Sequence, residues 1–146
     1  MSRPRVCYNP RVLVRRFGDA ATIDVHRLRS HILMDAGELG SRNLSVNWIE
    51  VPPGAAEELR SHEEAEQAYV VVRGNGTMSA TGDTQQLAPG DLVLIPPATD
   101  HSVSNDDGTE PLALVSVQSP GVSADELFSI RLASQAVGYD GDYEDD

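Results

Sequence analysis

Short apolar segments separated by turn-forming residues occupy most of the chain between residues 22 and 118. Polar and apolar residues alternate over 44–51, which is the period-2 pattern of a half-buried β-strand. A continuous apolar run over 68–72 predicts a more deeply buried strand, and the Asn75-Gly76 pair that follows favours a hairpin. Strands of four to seven residues at intervals of about ten residues indicate an antiparallel sandwich or barrel.

The same pattern predicts the remaining strands of an all-β domain. They are expected at 22–34 (one or two strands), around Arg60 and His62, and at 77–81, 84–87, 92–95, 101–105 and 112–118. A barrel spanning residues 44–118 therefore follows an N-terminal segment, residues 1–43, that supplies an arm and edge strands.

The two ends of the chain break this pattern. Residues 1–20 combine two prolines with five arginines, and they predict an extended arm that contains one short strand at most. In residues 119–146, Ser123 as N-cap and acidic residues in the first turn predict a short helix. The last seven residues carry five acidic side chains and predict a solvated tail.

Length and charge limit the classes of function. A chain of 146 residues with 40 % hydrophobic residues suits one domain with one core. A formal net charge of −12 disfavours nucleic acid and anionic membranes as partners, because binding either one requires neutralising phosphates with Lys and Arg. We expect a cytoplasmic protein, since the first ten residues lack the apolar stretch of a signal peptide and no long apolar run is present. The single cysteine allows no internal disulfide.

Two glycine-bounded segments carry the candidate chemistry. The first contains, in order, Gly54, Arg60, His62, Gln67 and Gly74, and the second contains Gly90, Pro96, Ala98, His101 and Asn105. This double spacing resembles the two signature motifs of the cupin family. In the family pattern the position of Arg60 holds histidine, that of Gln67 holds glutamate and that of Ala98 holds glycine.

The resemblance implies a small antiparallel β-barrel or jelly roll with its site inside. In cupins, the histidines and the glutamate of these motifs bind one metal ion. Carried over by position, the implied ligands here are His62, Gln67 and His101, with Arg60 in the fourth place. The implied cofactor is a divalent ion such as Fe, Mn, Ni or Zn.

Strand geometry supports the placement of these residues on one face, whereas their charges disfavour a bound cation. Arg60 and His62 are two residues apart, so on a strand they share a face, as do Gln67 and Tyr69. Two imidazoles and an amide provide no negative charge to balance a cation. In addition, Arg60 at about 6 Å would repel a divalent ion by about 5 kcal/mol at an effective dielectric constant of about 20.

Arg60 consequently has two alternative roles. It could pair with a carboxylate such as Glu57, Glu64 or Glu66, or it could anchor an anionic substrate through its rigid guanidinium fork.

Three functions are compatible with the sequence. The first is a small-molecule enzyme of the cupin type, metal-assisted, such as a dioxygenase, an isomerase or lyase, or a polyketide cyclase, with Arg60 and Tyr69 as candidate catalytic residues. The second is a metal-free cupin that binds an anionic small ligand through Arg60. The third is a packed barrel in which His62 and His101 are hydrogen-bonded core residues. We also expect a homodimer, because the N-terminal arm requires a surface.

Overall fold

The computed structural model describes residues 12–35, 41, 43–57, 64–106 and 108–121. Within these ranges a short 3₁₀ helix, Phe17–Asp19, precedes nine strands. The strands are β1 Ala21–Val25, β2 Leu28–Met34, β3 Ser45–Val51, β4 Glu66–Arg73, β5 Gly76–Ala80, β6 Asp83–Leu87, β7 Leu92–Ile95, β8 His101–Ser104 and β9 Leu112–Ser119. The all-β prediction is thus confirmed.

The strands form two antiparallel sheets. The larger sheet has the order β1-β2-β3-β9-β4-β7, and the smaller has the order β6-β5-β8. The last strand, β9, is inserted between β3 and β4, so residues far apart in sequence line one continuous face. No helix within the described ranges has the length and apolarity needed to cross a membrane.

The hairpin predicted at Asn75-Gly76 is wrong. β4 pairs with β9 and β7, whereas β5 pairs with β6 and β8, so this turn carries the chain from one sheet to the other. A close packing contact explains the corner: Gly74 has a φ of 81°, and a Cβ there would lie 2.4 Å from the carbonyl oxygen of Pro111. Only glycine permits this approach of the two backbones.

The N-terminal arm, as far as the structure describes it, forms no strand. Residues 12–16 have no regular structure, and the ring of Phe17 lies 4.5 Å from His31 and 5.2 Å from Trp48, between ring centroids. The described part of the arm therefore packs, through Phe17, on the outer face of β2 and β3 of its own chain. The C-terminal helix predicted after Ser123 lies outside the described residues.

The alternation predicted over 44–51 is present in β3, but the more buried face is not the apolar set that includes Val46 and Trp48. Ser45, Asn47, Ile49 and Val51 are buried, whereas Val46 and Trp48 are only half-buried. Phe17 covers Trp48 from outside, so both faces of the strand are partly shielded from water. Ser45 and Asn47 can consequently point inward.

Cross-strand register divides the inner face of the large sheet into two layers. The apolar layer consists of Ile49, Val51, Val71, Leu112 and Leu114, which belong to one hydrophobic cluster. One pleat further along the same strands lies the polar layer, which consists of Ser45, Asn47, Gln67, Tyr69, Ser116 and Gln118. The polar layer therefore holds the side chains that could form a site.

Candidate functional site

A buried trio of ionisable side chains lies at the edge of the polar layer. The hydroxyl of Tyr69 donates a hydrogen bond of 2.7 Å to Glu57 Oε2 and lies 3.5 Å from His101 Nε2. The rings of Tyr69 and His101 meet edge to face, with centroids 5.9 Å apart. All three residues are at most 3 % exposed, so their interactions are only weakly screened by solvent.

Backbone contacts hold Glu57 in place, although it belongs to no named strand. Its N–H donates to the carbonyl of Val103 at 2.8 Å, and its carbonyl accepts from Ser102 Oγ at 2.6 Å. An isolated bridge pairs Ala56 with Ser104. These contacts to β8 turn the carboxylate of Glu57 toward Tyr69.

His101 is oriented by the turn that precedes β8. Its Nδ1 lies 3.1 Å from the carbonyl oxygen of Thr99, which can only accept a hydrogen bond. In the neutral ring, Nδ1 therefore carries the proton and Nε2 is the acceptor nitrogen that faces Tyr69.

Two oxygen atoms of the site are buried and accept no hydrogen bond from the described residues. One is Glu57 Oε1; the other is Gln67 Oε1, whose amide group donates through Nε2 to Ser116 Oγ at 2.8 Å. Leaving a buried acceptor unpaired costs about 1–3 kcal/mol. Such atoms at a candidate site therefore indicate that a ligand, an ion or water completes the arrangement.

The structure brings together three of the five predicted site residues. Gln67 and Tyr69 are neighbours on the inner face of β4, and His101 reaches Tyr69 from β8. The other two, Arg60 and His62, lie outside the described residues, so their placement stays a prediction.

Glu57 is the site residue that the sequence interpretation missed, because it was considered only as a possible salt-bridge partner of Arg60. The sequence after Gly54 has no pattern that marks Glu57, and its inward direction is visible only in the structure. Ala55 and Glu57 are 4 % and 3 % exposed while Ala56 between them is exposed, which is the alternation of an inward-facing strand.

His31, in contrast, belongs to the outer face of the large sheet. Its Nε2 lies 3.5 Å from Glu50 Oε2, and its ring packs against Phe17. It has no part in the trio.

Comparison with known proteins places this site in a family. The family model of the cupin domain matches residues 47–118, which span β3 through nearly all of β9 and include the polar layer from Asn47 onward. Residues 47–118 form a cupin domain. The resemblance recognised in the two sequence motifs is thereby confirmed.

Cupins of known structure share the fold over most of the chain. A predicted oxalate decarboxylase from Thermotoga maritima is 19 % identical, with a TM-score of 0.65, covering 73 % of this chain and 98 % of that protein. The polyketide cyclase RemF from Streptomyces resistomycificus is 18 % identical, with a TM-score of 0.63, covering 77 % and 80 %. At these identities the likeness concerns the fold.

A curated relative matches in sequence as well. The mannose-1-phosphate guanylyltransferase of Klebsiella pneumoniae is 28 % identical over 88 residues, which is 60 % of this chain. The matched region spans only 18 % of that enzyme.

The second cupin motif contains a strained residue. Ala98, where the family pattern has glycine, has a φ of 60°, in the left-handed region that side chains with a Cβ avoid. The turn that leads to His101 thus holds an alanine in a backbone conformation that glycine adopts more readily.

The donor chemistry of this cupin fits a divalent ion in part. Among the described residues, no three His, Cys, Asp or Glu side chains converge as a metal-binding group. However, Gln67 Oε1 is an unpaired buried acceptor, and His101 Nε2 is an acceptor nitrogen. Glu57 adds the negative charge that the sequence motif lacks, so the electrostatic objection raised by Arg60 is weaker than the sequence alone indicates.

Proposed function

We propose that this cupin domain is a small-molecule enzyme of the isomerase or lyase class that transfers a proton at a carbon next to a carbonyl group. The observation that supports it is the buried carboxylate–phenol–imidazole trio, with Glu57 Oε1 still available to accept a proton. Buried acid–base groups in mutual contact are typical of proton-transfer sites.

Each member of the trio has a distinct role in this proposal. Glu57 Oε1 takes the proton from the substrate carbon, which leaves the electron pair on the enolate oxygen. Protonation removes the charge that holds the Tyr69 hydroxyl, which then donates its hydrogen bond to the enolate oxygen. In a hydroxy aldehyde or hydroxy ketone, the hydroxyl proton then passes to the enolate oxygen through the Tyr69 hydroxyl, and Glu57 returns the carbon-bound proton to the neighbouring carbon. These two transfers complete an isomerisation and restore both Glu57 and Tyr69. His101, fixed by the Thr99 carbonyl, packs edge to face against the Tyr69 ring and so helps to position the phenol.

A divalent ion would fit beside this trio. His101 and Gln67 would hold it together with His62, as the cupin motif implies, and the ion would polarise the carbonyl group and stabilise the enolate. Glu57 is left as the base, since its carboxylate already accepts from Tyr69.

Exchange of carbon-bound hydrogen with solvent tests the proposal across several substrate classes at once. The protein is incubated in D₂O with a panel of hydroxy aldehydes, hydroxy ketones and keto acids, and loss of the proton signal next to the carbonyl is followed by NMR. We expect exchange with at least one compound. Glu57→Gln should slow it by about 10²-fold or more, and Tyr69→Phe by a smaller factor.

Asp83→Asn is the matched control, because Asp83 is an exposed carboxylate on β6 and its neutralisation should leave exchange unchanged. Absence of exchange across the panel would reject the proposal. Full activity of Glu57→Gln would do so as well.

The metal-free alternative, an anionic ligand held by Arg60, depends on a residue outside the described ranges. The variant Arg60→His distinguishes the metal-assisted enzyme from the metal-free anion-binding protein. If an ion binds, the added imidazole should raise metal content in elemental analysis; if Arg60 anchors an anion, ligand binding should be lost while metal content stays at background.

A homodimer is part of the proposal. Leu92 and Leu94 on the edge strand β7 are 64 % and 58 % exposed, and the neighbouring Val72 on β4 is 42 % exposed. An apolar sheet edge of this kind is a typical contact surface for a second copy. Light scattering should therefore give about twice the 15.7 kDa chain mass. A chain-sized mass in dilute buffer would reject it.

A further inference from the structure

We propose that the polar layer selects a neutral polyhydroxylated ligand of the saccharide class, recognised by the amide groups of Asn47, Gln67 and Gln118. This inference rests on the proposed function, because it takes the compound held by these amides to be the substrate of the trio.

The three amides form a compact group on neighbouring strands. Gln118 on β9 lies opposite Gln67 on β4, and Ser116 lies opposite both Asn47 on β3 and Tyr69 on β4. All of them are on the inner face. Neighbouring strands are about 4.8 Å apart, so the amides span about 10 Å, which suits a molecule of the size of a single sugar ring.

Much of the hydrogen-bonding capacity of these amides is unused. Asn47 and Gln118 are 7 % and 6 % exposed, no hydrogen bond links their side chains to another described residue, and their amide atoms stay accessible to water or a ligand. Gln67 donates to Ser116 but leaves its oxygen unpaired. The buried, unpaired oxygen of Gln67 costs stability, and the accessible amides of Asn47 and Gln118 lie on the same face, where one ligand could pair with all three groups.

The chemistry of the amide identifies the ligand class. A carboxamide presents two donors and an acceptor side by side, and a pair of adjacent hydroxyl groups offers the complementary donor and acceptor. A ligand with strong charge would call for a partner of opposite charge. The polar layer contains no ionised side chain at neutral pH, and the adjacent carboxylate of Glu57 repels anions.

The position of the amides would also bring a bound sugar close to the proton-transfer residues. Gln67 precedes Tyr69 by two residues on the same face of β4, one pleat or about 6.8 Å away. A sugar held by the amides would thus extend toward Glu57 and Tyr69. In its open-chain form, a reducing sugar carries the hydroxyl-bearing carbon next to a carbonyl that the proposed proton transfer requires.

Saturation-transfer NMR and titration calorimetry test the selection directly. The probes are three aldohexoses, inositol, a hexuronate, a hexose phosphate and cyclohexanol, which matches the ring but has one hydroxyl. We expect at least one aldohexose or inositol to bind with a dissociation constant near millimolar, and cyclohexanol not to bind. Asn47→Leu and Gln118→Leu should each weaken the bound polyol at least tenfold.

Gln86→Leu is the matched control, because Gln86 is an exposed amide on β6 and its loss should not change binding. Circular dichroism establishes that each variant is folded. Should Asn47→Leu fail to fold, Asn47→Ser removes the amide at smaller volume and carries the same expectation.

Three results would overturn the inference: no polyol binding at tens of millimolar, binding of the anionic sugars alone, or equal affinity in the wild type and both amide variants. Deuterium exchange without polyol binding rejects this inference and leaves the proposed function standing. Saturable polyol binding without deuterium exchange rejects the proposed proton transfer and leaves polyol recognition by the amides standing.

Discussion

Two layers of one sheet face, a single pleat apart, have opposite chemistry. Ile49, Leu114 and Val71 form one cross-strand row of the apolar layer. Two residues further along the same strands, Asn47, Ser116 and Tyr69 form a row of the polar layer. Both rows are buried, so burial alone does not explain the difference.

The comparison shows how this cupin separates stability from function. Each buried aliphatic side chain contributes about 1.5–3 kcal/mol to folding. Buried amides and carboxylates contribute little, and they cost stability where they lack partners. One layer thus stabilises the barrel, which allows the other to retain groups with unused bonding capacity.

The largest effect is expected in the apolar layer. Leu114→Ala should lower the free energy of unfolding by about 2–5 kcal/mol, because the side chain is fully buried among Ile49 and Val71. Ser116→Ala, one pleat away on the same strand, should cost about 1 kcal/mol, the low end of the cost of leaving the Gln67 amide without its acceptor. Urea denaturation of both variants measures the difference. Equal losses would show that the two layers contribute alike.

A paired replacement in the polar layer should separate stability from binding. In Gln67→Met combined with Ser116→Ala, the 2.8 Å hydrogen bond and the unpaired Gln67 oxygen disappear together. Because both partners become apolar, the unfolding free energy should stay level or rise by about 1 kcal/mol. Ligand binding should fall. A loss above about 2 kcal/mol would mean that this bond supports the fold.

A smaller gain is expected at the turn before His101. Ala98→Gly removes the strain of a φ of 60° on a residue with a Cβ, although glycine also increases the freedom of the unfolded chain. The net stabilisation should be about 1 kcal/mol, measured by thermal unfolding. A destabilised variant would indicate that the Ala98 methyl makes packing contacts that outweigh the strain.

The smallest effect should follow metal removal. Elemental analysis of protein purified without chelator gives the metal content, and dialysis against chelator should remove any ion with little change in the unfolding midpoint. The apolar layer, rather than the ion, stabilises the barrel. Unfolding on chelation would contradict the comparison, since the polar layer would then carry the stability.

Sequence periodicity was sufficient for most of the fold, since most of the strands β3 to β9 follow a period-2 pattern or a short apolar run, and turn residues bound the polar strand β6. Periodicity gave wrong predictions where tertiary packing determines which face of a strand is buried or where a turn leads. The inward face of β3 contains Ser45 and Asn47, because the site needs polar groups and Phe17 shields Trp48 from outside. The Asn75-Gly76 turn connects two sheets, since backbone packing at Gly74 sets its direction.

The candidate site was predictable to a similar extent. Strand parity put Gln67 and Tyr69 on one face, and the cupin resemblance implied that Gln67 and His101 belong to one site. They did not identify Glu57, which reaches the site through a single isolated bridge to β8. A contact of this kind depends on how the two sheets pack together, and the local sequence does not predict it.

The central claim, that the trio serves chemistry rather than folding, is tested most directly by the unfolding free energy of Glu57→Leu combined with Tyr69→Phe. The change replaces a buried carboxylate and its hydroxyl partner with apolar groups of similar size. Our account predicts a variant at least as stable as the wild type that has lost deuterium exchange. A variant destabilised by about 3 kcal/mol or more would show that the trio holds the barrel together, and would contradict the account.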